Sequence, residues 1–295
     1  MKRFFICAAA AIVALASCSK TQVVYNDAPE EIGFKAVSGA ITKAEQTNAT
    51  LDGTMGVFAF VNGGTTVYFG NTSFAKSGDV WTASKYWPVN EELDFAVYAP
   101  FVDGTTFSSN KLTVEADNSA NTTIDTQVDY LYGAKYYDNE GSGYDRNTAN
   151  VPVTLNHAQA KVTVSFTGEN ATVTDVTLDA PVLKGSCAVT YSDPVVVDWT
   201  PGAANSAVTL IETADLSAVA VSASLLVVPE TVSDITFNYQ IDGSSAVLSH
   251  TIDLTEAWVH GTHYTYNVSV SPYEIKFKPT VNTTWTTGAT TPVNL

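Results

Sequence analysis

Period-two alternation of apolar and polar residues is what most limits the folds open to this 295-residue chain. "LDFAVYA" places Leu93, Phe95, Val97 and Ala99 on one side of an extended segment. "KVTVSF" does so with Val162, Val164 and Phe166, "ITFNYQI" with Ile235, Phe237, Tyr239 and Ile241, and "YTYNVSV" with Tyr264, Tyr266, Val268 and Val270. A strand points successive side chains to opposite faces, so this period suits a half-covered sheet. "MGVFAFV" and "SASLLVVP" are apolar without alternation and read as strands covered on both faces. Asn62-Gly63-Gly64, Lys76-Ser77-Gly78-Asp79, Val102-Asp103-Gly104 and Ile241-Asp242-Gly243 supply turns between strands. Helical periodicity is nearly absent, the best candidates being short turns near 213–219 and 253–258. Short strands spaced roughly 8–15 residues apart predict an all-β chain built from sandwiches. The length suits two in tandem, with the seam expected at "TGENAT", 167–172.

The N-terminus carries a different signal. Lys2 and Arg3 precede an uncharged apolar run from Phe4 to Ala16. That run is shorter than the ~20 residues of a membrane span and has the length of a signal-peptide core. Leu15, Ala16 and Ser17 then lead into Cys18, the pattern of a bacterial lipobox. There the cysteine thiolate takes the lipid and becomes the first residue of the mature chain. Residues 1–17 are therefore read as a lipoprotein signal peptide. Two or more acyl chains, each burying ~0.8 kcal/mol per CH2, would tether the protein to a membrane. Cys187, in the alternating "GSCAVTY", is then left without a disulfide partner and reads as a small buried apolar residue.

The formal charge of −16 arises from 30 acidic and 14 basic residues. Scattered Lys and Arg in an acidic chain do not suit phosphate contact, so no nucleic-acid partner is expected. A search for chemistry finds little. "HGTH", 260–263, has a two-ligand spacing but no cysteine or carboxylate nearby to complete a metal site. His157 reads as a structural position. The loop "YYDNEGSGYDRNTANV", 136–151, is rich in acids and amides but does not match a calcium-binding loop, and reads as solvated surface. There is no nucleophile elbow, phosphate loop or zinc-protease helix. The expectation is no catalytic residues, no metal and no cofactor: not an enzyme.

Several stretches, taken in order, resemble the fimbrillin family, the subunits of type V pili in Gram-negative oral and gut anaerobes. They are the lipobox at Cys18, "IGFKAVSGAITKAEQ" (32–46), "KYWPVNEELDFAVYAP" (85–100), "DYLYGAKY" (129–136), "VTLNHAQAKVTVSF" (153–166) and "WVHGTHYTYNVSVSP" (258–272). The resemblance implies two tandem transthyretin-like β-sandwiches, 44–168 and 169–272, following a propeptide, 18–43, that carries a first strand. It further implies export to the outer membrane through Cys18 acyl chains, and a trypsin-like processing protease that cuts beyond the first strand. Strand exchange with other fimbrial subunits, identical or different, would follow, serving adhesion to a host or glycan receptor. The displaced strand would carry Ile32 and Phe34. The family's Thr-Arg-Ala cut corresponds here to Thr42-Lys43-Ala44, with Lys20 and Lys35 as competing basic sites. Residues 273–295 form a C-terminal extension. Ile275, Phe277, Val281 and Trp285 are its candidate donor knobs, with Pro279 expected to limit the strand. The same segment also reads as an edge strand of its own sandwich. A second class of function stays open: a surface lipoprotein that does not polymerise, stacking sugars on exposed Trp81, Trp199 or Tyr144.

Overall fold

The computed structural model describes residues 29–38, 53–216, 219–272, 274–282 and 291–292. Those residues are all-β, with no helix. The strands are β1 (Phe34–Ser38), β2 (Thr54–Val61), β3 (Thr66–Ser77), β4 (Val80–Thr82), β5 (Asp94–Ala99), β6 (Thr106–Ser108) and β7 (Lys111–Asp117). Next come β8 (Leu131–Gly133), β9 (Val151–His157), β10 (Ala160–Gly168), β11 (Ala171–Leu178), β12 (Lys184–Thr190), β13 (Val196–Pro201) and β14 (Val208–Asp215). The last are β15 (Val221–Val227), β16 (Ile235–Ile241), β17 (Val247–Ile252), β18 (His263–Val270), β19 (Ile275–Asn282) and β20 (Thr291–Pro292). The helical candidate near 213–219 is overturned where it is described, because Thr213–Asp215 continue β14 against β11. Residues 253–258 are likewise non-helical.

Seven strands close into a barrel in the order β1-β4-β3-β2-β5-β8-β9. Its interior holds Met55, Val57, Phe74, Phe95, Val97 and Val153 among others. The alternate residues of β2 and β5, namely Phe58, Phe60, Ala96 and Tyr98, point the other way and are also buried. They are covered by a second sheet, β13-β12-β7-β6, through Leu112, Val114, Cys187, Val189 and Trp199. Both faces of β2 are thus apolar because both are covered, which is why "MGVFAFV" shows no alternation. Cys187 lies opposite Val114 and Trp199 in this sheet, and burial pushes its thiol up to about 12. It is a packing residue, as its sequence context indicates.

The second unit packs β15-β10-β18-β19-β20 on β14-β11-β16-β17. Its core includes Val162, Val164, Phe166, Phe237, Trp258 and Val268. Here the expected boundaries need correction in two ways. Residues 160–168 belong to the second unit, since β10 pairs with β15 and β18. The polar stretch at Gly168 to Asn170 is the corner from β10 to β11, with Asn170 at φ 53°, and not a linker. The change of core falls earlier, between β9 and β10. In addition, the hairpin β12–β13 leaves the second half of the chain and pairs with β7 of the first. Neither half is therefore a sequence-contiguous sandwich.

A buried polar contact joins the two units, and others brace the first unit internally. Gln127 Nε2 donates to Leu226 O at 2.9 Å, and Leu226 N–H donates back to Gln127 Oε1 at 2.6 Å. Trp199 Nε1 donates to Ala158 O at 2.8 Å. His157 Nδ1 lies 2.8 Å from Asp129 Oδ2, with both side chains buried. Each of these groups lies where an unpaired partner would stay dry, so losing one partner is costly. Replacing Gln127 by Met strands the amide N–H and carbonyl of Leu226. It should lower stability by about 2 kcal/mol or more in urea unfolding, although the side-chain volume is kept.

Candidate functional site

The segment most exposed to functional scrutiny is β1, the only strand of the barrel that lies before residue 53 among the described residues. It enters as the last stave. On one side it runs parallel to β9, with Phe34 opposite Val151 and Ser38 opposite Leu155. On the other it meets β4 antiparallel, with Phe34 opposite Trp81. Just before β1, Ile32 N–H donates to Lys85 O at 2.7 Å and Trp87 N–H donates to Glu30 O at 2.9 Å. Gly33 O accepts from Val151 N–H at 2.8 Å. The segment from Glu30 to Ser38 thereby joins the two edges that would otherwise stay open.

The side chains follow the expected alternation. Ile32 and Phe34 are both 0% exposed and point into the barrel core. Lys35 and Val37 point outward. Phe34 meets Phe74 and Phe95 edge-on, with ring centroids 5.2 and 5.0 Å away. Perpendicular rings place a positive edge against a negative face, adding to what burial contributes. Gly33 is held close: a Cβ there would collide with Asn150 Oδ1 and stand 3.0 Å from Val80 Cγ1. The strand thus sits in a fitted slot lined by β4, β9 and the inner aromatics. Without it, β4 and β9 would present unpaired backbone edges beside an apolar trough.

At the other end of the chain, Ile275, Phe277 and Val281 lie in β19. This strand pairs antiparallel with β18 from Val270↔Ile275 to His263↔Asn282. It continues through Pro279, contrary to the expected stop. Pro279 lies opposite Tyr266, and β20 pairs only with Thr280 and Val281, so the missing N–H is tolerated. Ile275, Phe277 and Val281 are half-buried against the second core, with Phe277 stacked on Tyr266 at 5.8 Å. In this structure the segment is a near-edge strand of its own unit, the second of the two readings. Cys18, Lys43, Ala44 and Trp285 lie outside the described residues. Lys43 falls between the end of β1 at Ser38 and the start of β2 at Thr54, so a cut after it severs β1 from the rest of the chain.

Other sequence candidates are relocated. Trp81, Trp199 and Tyr144 are 4, 5 and 8% exposed, so none offers a stacking platform for sugar. The loop at 136–151 is not wholly solvated. Tyr137 and Tyr144 form bridges to Phe95 and Leu93, and both are buried in the barrel core. In "HGTH", burial and the nearby Lys161 lower the pKa of His263 to about 4. Its Nε2 lies 2.8 Å from Thr163 Oγ1. Among the described residues no three His, Cys, Asp or Glu side chains are gathered closely enough to hold a metal ion.

With this geometry in view, comparison with known proteins assigns the class. The profile of the fimbrillin-like family matches residues 42–286, and the chain belongs to that family. Fimbrillin-like proteins are a fimbrial, structural family of the cell surface and not an enzyme family. A comparison with curated protein sequences gives no match. Solved structures that share the fold include the following. A candidate cell adhesion protein from Bacteroides uniformis is 19% identical, with a TM-score of 0.56 over 87% of this chain and 99% of that one. One from Bacteroides ovatus is 14% identical, with a TM-score of 0.54 over 85% and 96%. One from Parabacteroides distasonis is 12% identical, with a TM-score of 0.50 over 88% and 97%.

Two outcomes follow. Phe34→Ala removes a ring from the closing strand and should cost about 3–5 kcal/mol in chemical denaturation. The His263 pKa is depressed, so the unfolded chain binds a proton between about pH 6.5 and 4 that the folded chain does not. Stability from this group is present above that window and lost as pH falls through it. His263→Gln should therefore lose less stability than the parent between about pH 7 and pH 4.5, read by urea midpoints.

Proposed function

We propose that this chain is a structural subunit, shaft or tip, of a cell-surface fimbria, exported as a lipoprotein acylated at Cys18. A trypsin-like protease cuts after Lys43, β1 leaves, and a strand from another subunit takes its place. The observation that carries this reading is the position of β1: it fills a slot between β4 and β9 and precedes a basic site on the connection to β2. Main-chain bonding along both slot edges would give continuity, and alternate apolar side chains would give register. The family match beginning at residue 42, after β1 has ended, agrees with a mature chain that starts near Ala44.

The C-terminal segment is the proposed donor. "IKFK", 275–278, repeats the spacing of "IGFK", 32–35, so Ile275 and Phe277 can enter the places of Ile32 and Phe34. Lys276 would then replace Gly33, and the Asn150 side chain must turn aside to admit it. β19 must leave β18 to donate, giving up its own pairing for the more enclosed slot. Val281 and Trp285 would extend the contact. The partners on this reading are other fimbrial subunits, outer-membrane lipid before the cut, the processing protease, and a host or glycan receptor. An uncut, lipid-retaining anchor is a variant of the same reading. A sugar-stacking role for Trp81, Trp199 or Tyr144 is disfavoured by their burial.

Treatment of the purified chain with a Lys-cleaving protease should release the β1 fragment and yield SDS-resistant ladders. Lys43→Gln should stay monomeric, and a chain ending at residue 274 should be cut yet form no ladder. A chain that loses β1 and remains monomeric would overturn the reading; so would ladders formed equally well without residues 275–295.

A further inference from the structure

A second feature has no part in strand exchange. Five connections far apart in sequence converge on a cavity of about 710 Å³. They are the β2–β3 turn (Asn62 to Gly64), the approach to β5 (Asn90 to Asp94), the β6–β7 turn (Asn110), residues 136–143, and Tyr191 after β12. Four carboxylates line it: Glu91, Glu92, Asp94 and Asp138. No Lys, Arg or His is among its lining residues.

The arrangement is built. Gly143, at φ 71°, brings its backbone against the acids: a Cβ there would come 2.7 Å from Glu92 Cβ and 3.4 Å from Asp94 Oδ1. Gly143 N–H donates to Asp138 O, folding the loop so that both ends face β5. Asp94 is only 4% exposed. Burial, together with Asp138 and Glu92, pushes its carboxyl up to about 6. Two tyrosines complete the wall. Tyr191 is 8% exposed, and its hydroxyl is buried with no hydrogen-bond partner among the described residues. The Tyr136 hydroxyl is in the same condition and stands 3.0 Å from the place a Cβ on Gly64 would occupy. Buried hydroxyls without partners are uncommon and point to a missing partner. Burial and the carboxylates Asp94 and Asp138 raise the Tyr136 pKa, so its hydroxyl stays protonated at neutral pH.

Repelling carboxylates and unsatisfied hydroxyls in one concavity share one complement. We propose that this cavity binds an organic cation, an alkylammonium or guanidinium group, between the Glu92, Asp94 and Asp138 carboxylates and the Tyr136 and Tyr191 hydroxyls. An ammonium offers three donors and a guanidinium five, enough to reach acids spread around a wall. A tyrosine hydroxyl without a partner can accept one of those N–H groups. A bare divalent ion suits the site less, because its carboxylates are not gathered as ligands around one point. A neutral sugar would leave the mutual repulsion of the acids in place. The cation can come as a free polyamine or as the Lys or Arg side chain of another protein.

The test uses the full-length chain and calorimetric titration with spermidine, with Nα-acetyl-lysine amide and Nα-acetyl-arginine amide, with calcium, and with a neutral oligosaccharide panel. Saturable binding of one organic cation is expected. It should weaken about tenfold or more in Glu92→Gln and in Asp138→Asn. It should be unchanged in Asp242→Asn, an exposed acid far from the cavity in sequence. Tyr191→Phe, which keeps the ring, should also weaken binding. Affinity should rise as Asp94 ionises, through about pH 6. Binding of spermidine alone identifies a free polyamine site, and binding of the capped amino acids identifies a side-chain socket. Binding only of calcium or of neutral sugar would overturn the proposal. So would cation binding reduced as much by Asp242→Asn as by the cavity variants, or no binding at all.

Discussion

The barrel depends on one insertion: Phe34 lying between the aromatic interior and the two backbone edges of β4 and β9. Phe34 is opposite Trp81 on one side and Val151 on the other, and it touches Phe74 and Phe95 inside. A single strand thus satisfies two edges and fills the apolar space between them. Burying Ile32 and Phe34 contributes about 1.5–3 kcal/mol each, before the backbone bonds are counted. On the proposed reading, the same geometry that stabilises the intact chain would make the slot an acceptor once vacated. A closed barrel has no edge available for association, whereas one lacking β1 has two. This is the physical basis for reading β1 as a guard on an assembly surface.

That slot also needs a rigid frame. β5 and β2 are buried on both faces, because β12–β13 crosses from the second half of the chain to cover the side of the barrel away from its interior. Gln127 then ties this unit to the other through Leu226, while the His157–Asp129 and Trp199–Ala158 contacts brace the first unit itself. Opening the barrel at β1 would therefore leave β2, β5 and β8 held by the second sheet.

Much of this was legible from residue type and period. The alternation in 93–99, 162–166, 235–241 and 264–270 marks strands that are present, and Ile32 and Phe34 share the buried face that their spacing indicates. What period cannot carry is the identity of the covering partner. Nothing local in "GSCAVTY" states that it lies beside β7, so the two units looked contiguous. A polar cluster at 167–172 reads alike whether it is a linker or a tight corner, so residue type alone puts the seam too late. Large aromatics suggest platforms, yet Trp81 and Trp199 lie in cores because their area is the most favourable to bury. The acidic cavity was hidden for a further reason: its walls come from five connections, and each one alone resembles ordinary solvated sequence.

The central claim is that the chain is stored closed and assembled open, with β1 surrendered in between. It is tested most directly by the N-terminal residue of the protein recovered from cell-surface fibres, read by mass spectrometry of the terminal peptide. The account predicts Ala44 and no peptide from β1 in the fibre. Fibres whose subunits begin at an acylated Cys18, with Ile32 and Phe34 still attached, would contradict it.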